Sequence, residues 1–379
     1  MLNIAIIGTG NISVMHLRGY LTFPDRCRIV ALVDIFPEKA EAKKAEYHLE
    51  GATVYSSHRD LSSRTDIDLV SICTPPYTHA EIAIDCMKAG MDVIVEKPMA
   101  ASLQECDRII QTELETGRTL SAVAQNRFRT PVMNLKKLLE QELIGKILHV
   151  QVDSFWWRGL CYYDLWWRGT WKQEGGGCTL NHAVHHIDML NWMMGLPRQV
   201  VSVIGNLAHS NAEVEDLSVS ILRYDGAIGQ VTGSVIHHGE AQQLIFQAEK
   251  ARVSFPFEVY ASTSKENGFP IRNTELENVI RTAFQALPPL LHEGHTAQIE
   301  DVLSSVERKR RPLITSLDGR NTIELITAMY KAGSTGLPVN LPIAADDPWY
   351  TVEGIMANAT HFYEKTNSVA QLGDSNISV

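Results

Sequence analysis

A short apolar run at residues 4–7 feeds directly into Gly8-Thr9-Gly10-Asn11-Ile12-Ser13, and Asp34 follows a second apolar run at residues 29–33. Few folds accommodate a strand, a glycine turn, a helix start and a distal acid in that order. The layout is that of a dinucleotide-binding β-α-β unit. Gly8 lets the chain turn sharply off its strand, and Gly10 leaves room for a pyrophosphate to reach N–H groups at a helix start. Thr9, Asn11 and Ile12 complete the loop. Asp34 lies 21 residues after Ser13, where a carboxylate accepts hydrogen bonds from ribose hydroxyls. The third motif position carries Ser13 in place of glycine or alanine. Because Ile35 and Phe36 offer no cation to a 2′-phosphate, NAD is the expected cofactor and NADP the less favoured one.

The rhythm of the first 124 residues extends this reading. Runs at 4–7, 29–33, 69–73, 92–95 and 119–124 read as strands, and stretches 11–22, 37–48, 78–89 and 102–116 as helices. Such alternation predicts a doubly wound parallel sheet whose ligands sit at the carboxyl ends of the strands. The residues there include Thr74, Pro75, Glu96, Lys97 and Gln125. After residue 125 the pattern changes. Helices are expected at 131–143, 179–194, 295–308 and 318–335. Strand-like runs at 147–157, 199–207, 215–223, 227–236, 242–249 and 251–257 follow one another without helices between the last five, so the second half is α+β with a mainly antiparallel sheet. The division is 1–124 for the dinucleotide-binding domain and 125–379 for the remainder. Residues 371–379, small and polar, are expected to fray.

Composition excludes several classes. A net charge of −10 and the lack of any long basic run speak against nucleic acid as a partner. No stretch approaches the about 18 consecutive apolar residues of a membrane span, and the N-terminus lacks a basic, then apolar, leader pattern. The six cysteines show no C-x-x-C pairing and read as reduced thiols of a cytoplasmic protein.

Two constellations carry chemistry. In Glu96-Lys97-Pro98, a lysine stands at a strand end on the ligand side, before a residue type that permits a cis bond. A fixed ammonium there favours the alkoxide that forms as hydride departs from a substrate carbon. In Gly175-Gly176-Gly177-Cys178-Thr179-Leu180-Asn181-His182-Ala183-Val184-His185-His186-Ile187-Asp188, the glycines open a helix on which Asn181, His185 and Asp188 share one face. One histidine aimed at a pocket is a natural general base near neutral pH. His182, His185 and His186 have spacing that could hold a metal, but no thiol or carboxylate cluster of metal spacing accompanies them, so no metal is expected. Segment 156–171 holds five of the seven tryptophans, interleaved with Arg158, Tyr163, Trp167 and Arg168. It reads as a pocket wall or lid over a polyhydroxylated substrate, with plain core packing the alternative for each tryptophan. Arg158, Arg168 and His238 could accept a carboxylate on the substrate, while arginines in such a loop equally suit cofactor phosphates or neighbouring acids.

Together these residues resemble the Gfo/Idh/MocA oxidoreductases, the relatives of glucose–fructose oxidoreductase and inositol dehydrogenase. The resemblance is carried by Gly8-x-Gly10-Asn11 with His16, Cys73-Thr74-Pro75-Pro76 with His79, Glu96-Lys97-Pro98, Trp167-Arg168-Gly169-Thr170-Trp171, the glycine-rich helix start with His185 and Asp188, and Gly319-Arg320 with Glu324. It implies a Rossmann domain followed by an α/β domain with a large open sheet, a nicotinamide cofactor, and a homodimer or homotetramer built on that sheet. By position it makes Lys97 and His185 the catalytic pair. His79 and Arg168 are expected among the cofactor contacts, and Tyr163, Trp167, Asn181 and His238 among the substrate contacts. Many inositol-dehydrogenase-like members carry aspartate where this chain has Asn181. An amide cannot act as a carboxylate base, which moves proton transfer to His185. The expected activity is oxidation of a secondary hydroxyl on a small carbohydrate-like substrate. The rivals are a lyase, isomerase or glycosidase that oxidises its substrate transiently, and a non-catalytic ligand-binding regulator.

Overall fold

The computed structural model describes residues 1–369; the expected fraying at 371–379 lies outside the described residues. Six short strands form the first sheet: β1 (Leu2–Ile7), β2 (Cys27–Val33), β3 (Thr53–Tyr55), β4 (Leu69–Ile72), β5 (Asp92–Val95) and β6 (Leu120–Ala122). All pair in parallel, in the order β3-β2-β1-β4-β5-β6. Helices α1 (Ser13–Leu21), α2 (Pro37–Glu46), α3 (His79–Lys88) and α4 (Leu103–Thr116) cross between them. Strand β4 is buried throughout and β1 over its last four residues, as sheets covered on both faces require. The strand order reverses between β1 and β4, so the crevice at their carboxyl ends is the ligand position of this architecture. Strand β3 was not foreseen; three residues are too few to show a period.

The second half begins with α5 (Thr130–Leu139) and β7 (Ile147–Phe155), followed by α6 (Cys178–Asn181) and α7 (Val184–Met194). Strands β8 (Gln199–Gly205), β9 (Leu217–Tyr224), β10 (Ala227–Ser234), β11 (Gln242–Ala248), β12 (Ala251–Phe255), β13 (Val259–Ser264) and β14 (Pro270–Arg272) come next. Helices α8 (Thr274–Gln285), α9 (Gly294–Arg308) and α10 (Ser316–Thr335) precede β15 (Val339–Asn340) and α11 (Val352–Asn358). The nine strands lie in the order β14-β13-β12-β11-β7-β10-β9-β8-β15. Every neighbouring pair is antiparallel except β7 with β10.

The expected helix at 179–194 is broken. It stops after Asn181 and restarts at Val184, so Asn181, His185 and Asp188 do not share one continuous face. Asp188 turns inward and accepts from Arg127 Nε and Nη2, one edge of the guanidinium, at 2.8 Å and 2.7 Å. Arg127 is 1% exposed and also reaches Asp318 at 2.9 Å. The three residues tie the end of β6, helix α7 and the start of α10 into one buried ion network. Helix α8 also escaped the sequence reading, although Leu276, Ile280 and Phe284 recur every four residues, the spacing of one helix face.

One late element returns to the first sheet. Ile299, Val302 and Leu303 of α9 share a core with Ile4, Ile6, Leu17 and Leu32. Helix α9 thereby places His295 beneath the carboxyl ends of the parallel strands, far from its neighbours in sequence.

Candidate active site

The glycine turn is built by crowding on one side and openness on the other. Gly8 has φ +90°, and a Cβ there would stand 2.7 Å from the Cys73 carbonyl oxygen, so no other residue fits. A Cβ on Gly10 would meet nothing within 4 Å, leaving open space before α1. The N–H and hydroxyl of Thr9 donate to Asp34 Oδ2 at 2.8 Å and 2.7 Å, and Phe36 N–H donates to Oδ1 at 3.0 Å. The Asp34 carboxylate is thus oriented at the end of β2 before any ligand arrives. Asn11 and Ile12 line the exposed side of the turn, while Ser13 is buried with its hydroxyl on the Gly10 carbonyl at 2.6 Å.

Thr74 and Pro75 form the facing turn after β4, closed by the Thr78 hydroxyl at 2.7 Å from Thr74 Oγ1 and 2.8 Å from the Pro75 carbonyl. His79, expected among the cofactor contacts, is fully buried. Its ring braces two strand-end turns, through the Pro98 carbonyl at 2.8 Å and the Thr74 carbonyl at 2.7 Å. Glu96 likewise turns away from the crevice: it is 4% exposed and its carboxylate faces His16 and His295.

Lys97 does face the second domain. The Lys97–Pro98 bond is cis, and Nζ donates to the Asn181 carbonyl at 3.0 Å. Asn181 therefore meets the lysine through its main chain, while its side-chain amide points to the Gly176 carbonyl at 3.4 Å. The break after Asn181 frees that carbonyl from the helix ladder. His185, in the first turn of α7, is half-buried and has no hydrogen-bond partner among the described residues. Burial, then the nearby Lys97 and His186, hold its imidazole well below the usual histidine range. Burial also pushes Lys97 down, opposed by the negative charge of Glu96.

The triple glycine serves packing. A Cβ on Gly176 would stand 2.2 Å from the Tyr330 hydroxyl, and one on Gly177 would stand 2.0 Å from the Glu215 carbonyl. Buried Glu215 accepts from Gly177 N–H at 3.1 Å and Thr179 N–H at 2.9 Å, capping the start of α6.

The aromatic segment forms a wall beside the lysine. The Arg168 guanidinium lies 4.1 Å from the Tyr162 ring centre and 4.4 Å from that of half-buried Trp167. It donates to the Tyr162 hydroxyl and sits 3.5 Å from Glu174. Tyr163, expected on the substrate side, is instead core: it is 1% exposed and packs edge-on against Tyr162 and His209. Tyr162 is the residue that reaches the wall, and His182 Nε2 lies 3.4 Å from its hydroxyl. Arg158 is committed to Glu240 at 2.7 Å. His238 is exposed and stacks on Trp157 at the outer rim. Glu174 was not anticipated. Burial pushes its carboxyl up to about 7, against the pull of Arg168, and the only sequence signal was its place directly before the glycines.

Two chain segments match family models. Residues 2–123 match the oxidoreductase family NAD-binding Rossmann fold, and residues 136–341 match the C-terminal alpha/beta domain of the same family. The chain belongs to the Gfo/Idh/MocA oxidoreductase family. The 2,7-anhydro-N-acetylneuraminate hydratase of Mediterraneibacter gnavus is 28% identical over 287 residues, 73% of this chain and 74% of the relative. Myo-inositol 2-dehydrogenase of Thermotoga maritima is 24% identical over 337 residues, 87% of this chain and 96% of the relative. Among solved structures, the WlbA dehydrogenase of Bordetella pertussis in complex with NADH and UDP-GlcNAcA is 28% identical with a TM-score of 0.78, covering 90% of this chain and 98% of that one.

The residues at the strand ends fit the NAD of this family. Asp34 is oriented for ribose hydroxyls and Gly10 opens on free space. At the far end of the crevice, Gln125 Oε1 and Arg168 Nε are buried polar atoms without a partner among the described residues, an acceptor and a donor that a polar ligand would satisfy.

Proposed function

We propose that this family member oxidises a secondary hydroxyl of a sugar, polyol or sugar acid, with His185 as the general base and Lys97 as the cation beside the developing oxyanion. The observation that carries the reading is the Lys97–Asn181 hydrogen bond, which sets the strand-end lysine against the α6–α7 break where His185 begins the next helix. NAD, held by the Gly8–Ile12 turn, Asp34, the Thr74-Pro75 turn, Gln125 and Arg168, supplies the hydride acceptor. The chain's own part is proton and charge handling. A neutral His185, held so by burial and Lys97, can take the hydroxyl proton throughout the neutral range. The Lys97 ammonium offsets the negative charge as that proton leaves. Trp167, Tyr162 and His182 wall the substrate side, and Arg158 and His238 stand farther out.

The test is NADH formation with a panel of sugars, polyols, aldonic acids and uronic acids. Turnover of one class supports the reading and names the class. Binding of NAD without NADH from any panel member would refute net oxidation. It would favour the second reading, transient oxidation with return of the hydride, to which the hydratase relative lends support.

The nine-stranded sheet supports a further part of the proposal. Helices α7 and α10 cover one face. On the other, Val201 pairs with Ile221 and Val203 with Val219, at 43%, 45%, 72% and 41% exposure. Contiguous apolar sheet surface of this kind marks an association face, and we assign it to a homodimer or homotetramer. The double variant Val203→Asp with Ile221→Asp is expected to run as a monomer by light scattering, where the parent runs as an oligomer. A monomeric parent would sink the assignment. No helix of the described residues is long and apolar enough to cross a membrane, and the described cysteines are free thiols, all buried but Cys161. We assign the enzyme to the cytoplasm, where such thiols stay reduced.

A further inference from the structure

Beneath Lys97 lies a buried polar chain that neither the dinucleotide motif nor the proposed chemistry uses. His16 Nε2 and His295 Nε2 approach the same oxygen, Glu96 Oε1, at 3.0 Å and 3.2 Å. The other oxygen, Oε2, accepts from Lys97 N–H at 3.1 Å. His16 Nδ1 stands 3.1 Å from the Ser71 hydroxyl, which stands 2.8 Å from the Tyr20 hydroxyl. His16, Ser71, Glu96 and Tyr20 are each under 5% exposed, and His295 is 5% exposed.

The direction of every bond in this chain follows from the chemistry of its groups. A carboxylate only accepts, so both histidines present Nε2–H to it. Burial keeps His16 neutral, so its Nδ1 accepts the Ser71 hydrogen, and Ser71 in turn accepts from Tyr20. Three N–H donors therefore converge on one buried carboxylate and keep it ionised against burial. Two of those donors come from α1 and α9, the second of which does not otherwise enter the crevice.

We infer that His295, from 199 residues downstream, is a positioning residue for Lys97: with His16 it clamps Glu96, which holds Lys97 by its main-chain N–H and supplies the counter-charge for its ammonium. The inference rests on the proposed role of Lys97 only in its consequence for turnover. The groups that act on Lys97 from the elements around it are Glu96 and Glu174, which favour the cation, and Arg168, which opposes it. His79, His182 and His185 lie within reach of its charge. Cys73, His79 and His185 lie within reach of Glu96. Only Glu96 touches the Lys97 main chain among these, so a Glu96 released from His295 swings its negative charge away from the ammonium and lowers the pH at which the buried ammonium gives up its proton.

The experiment follows acetylation of Lys97 against pH by mass spectrometry in the cofactor-free full chain, for the parent, His295→Leu and His295→Gln. Leucine removes the donor, whereas glutamine retains an N–H near the same place. The midpoint for Lys97 is expected to fall by about one pH unit in His295→Leu and to return towards the parent in His295→Gln. The alkaline limb of kcat should move with it. Should His295→Leu fail to fold, His295→Asn, whose shorter amide cannot reach Glu96, takes its place with the same expectation. An unchanged midpoint in a folded donor-free variant overturns the inference. A midpoint that shifts while the kcat profile stays fixed upholds the clamp and instead refutes Lys97 as the group that governs turnover.

Discussion

Replacing Lys97 with methionine is expected to lower kcat by about 10²–10³-fold while leaving NAD binding in place. Methionine keeps the bulk of the buried stem and removes the charge. The Asn181 carbonyl loses its partner, but the turns at Gly8 and Thr74, to which we assign the cofactor, are untouched. Because the ammonium acts on charge that develops only as the hydroxyl is deprotonated, kcat and kcat/KM should fall together. A variant that lost affinity for NAD while keeping kcat would show that Lys97 holds cofactor and not substrate. The check is steady-state kinetics beside fluorescence titration with NAD.

The second large effect is expected at His185. Changing it to alanine should lower kcat by about 10²–10⁴-fold, the range for loss of a positioned general base. The parent's pH profile carries the sign of the argument. A base must be unprotonated to act, and burial with Lys97 nearby holds this imidazole well below its ordinary value. Activity should therefore stay level as pH falls through the ordinary histidine range and decline only at more acid pH. In His185→Ala that acid limb should vanish from the residual rate. An acid limb in the ordinary histidine range, or one that survives the substitution, would assign the proton to another group. Glu174, whose carboxyl is pushed up to about 7 by burial, is the alternative the wall provides.

The parallel sheet was legible because its strands are buried on both faces and read as unbroken apolar runs, punctuated by glycine and acid at the functional turns. Strands β8 to β12 were legible for the opposite reason: one face is covered, so residues alternate, as Ser218, Ser220 and Leu222 do against Val219 and Ile221. Edge strand β14 begins at Pro270 and is exposed throughout, which leaves no pattern to read. At the site, Lys97 and His185 could be named from their motifs. Asp188 could not be placed, because its partner Arg127 lies 61 residues away and the helix break between Asn181 and Val184 resets the face. The sequence does not tell Tyr163 from Tyr162, because the pair sits in a short 3₁₀ turn, Leu160–Asp164, too brief for a period to show which ring faces the core. Glu174 depends on burial, a property of the assembled wall. The clamp on Glu96 needed α9 folded back onto α1, a contact without local signal.

The most direct test of the central claim is isotopic. The protein is incubated with NAD and a turned-over substrate carrying deuterium on the carbinol carbon, and the released cofactor is analysed by mass spectrometry. Oxidation of a secondary hydroxyl predicts deuterium in free NADH, one equivalent for each oxidised product, with the transfer lost in Lys97→Met and His185→Ala. Product formed with no deuterium in released NADH would contradict a dehydrogenase.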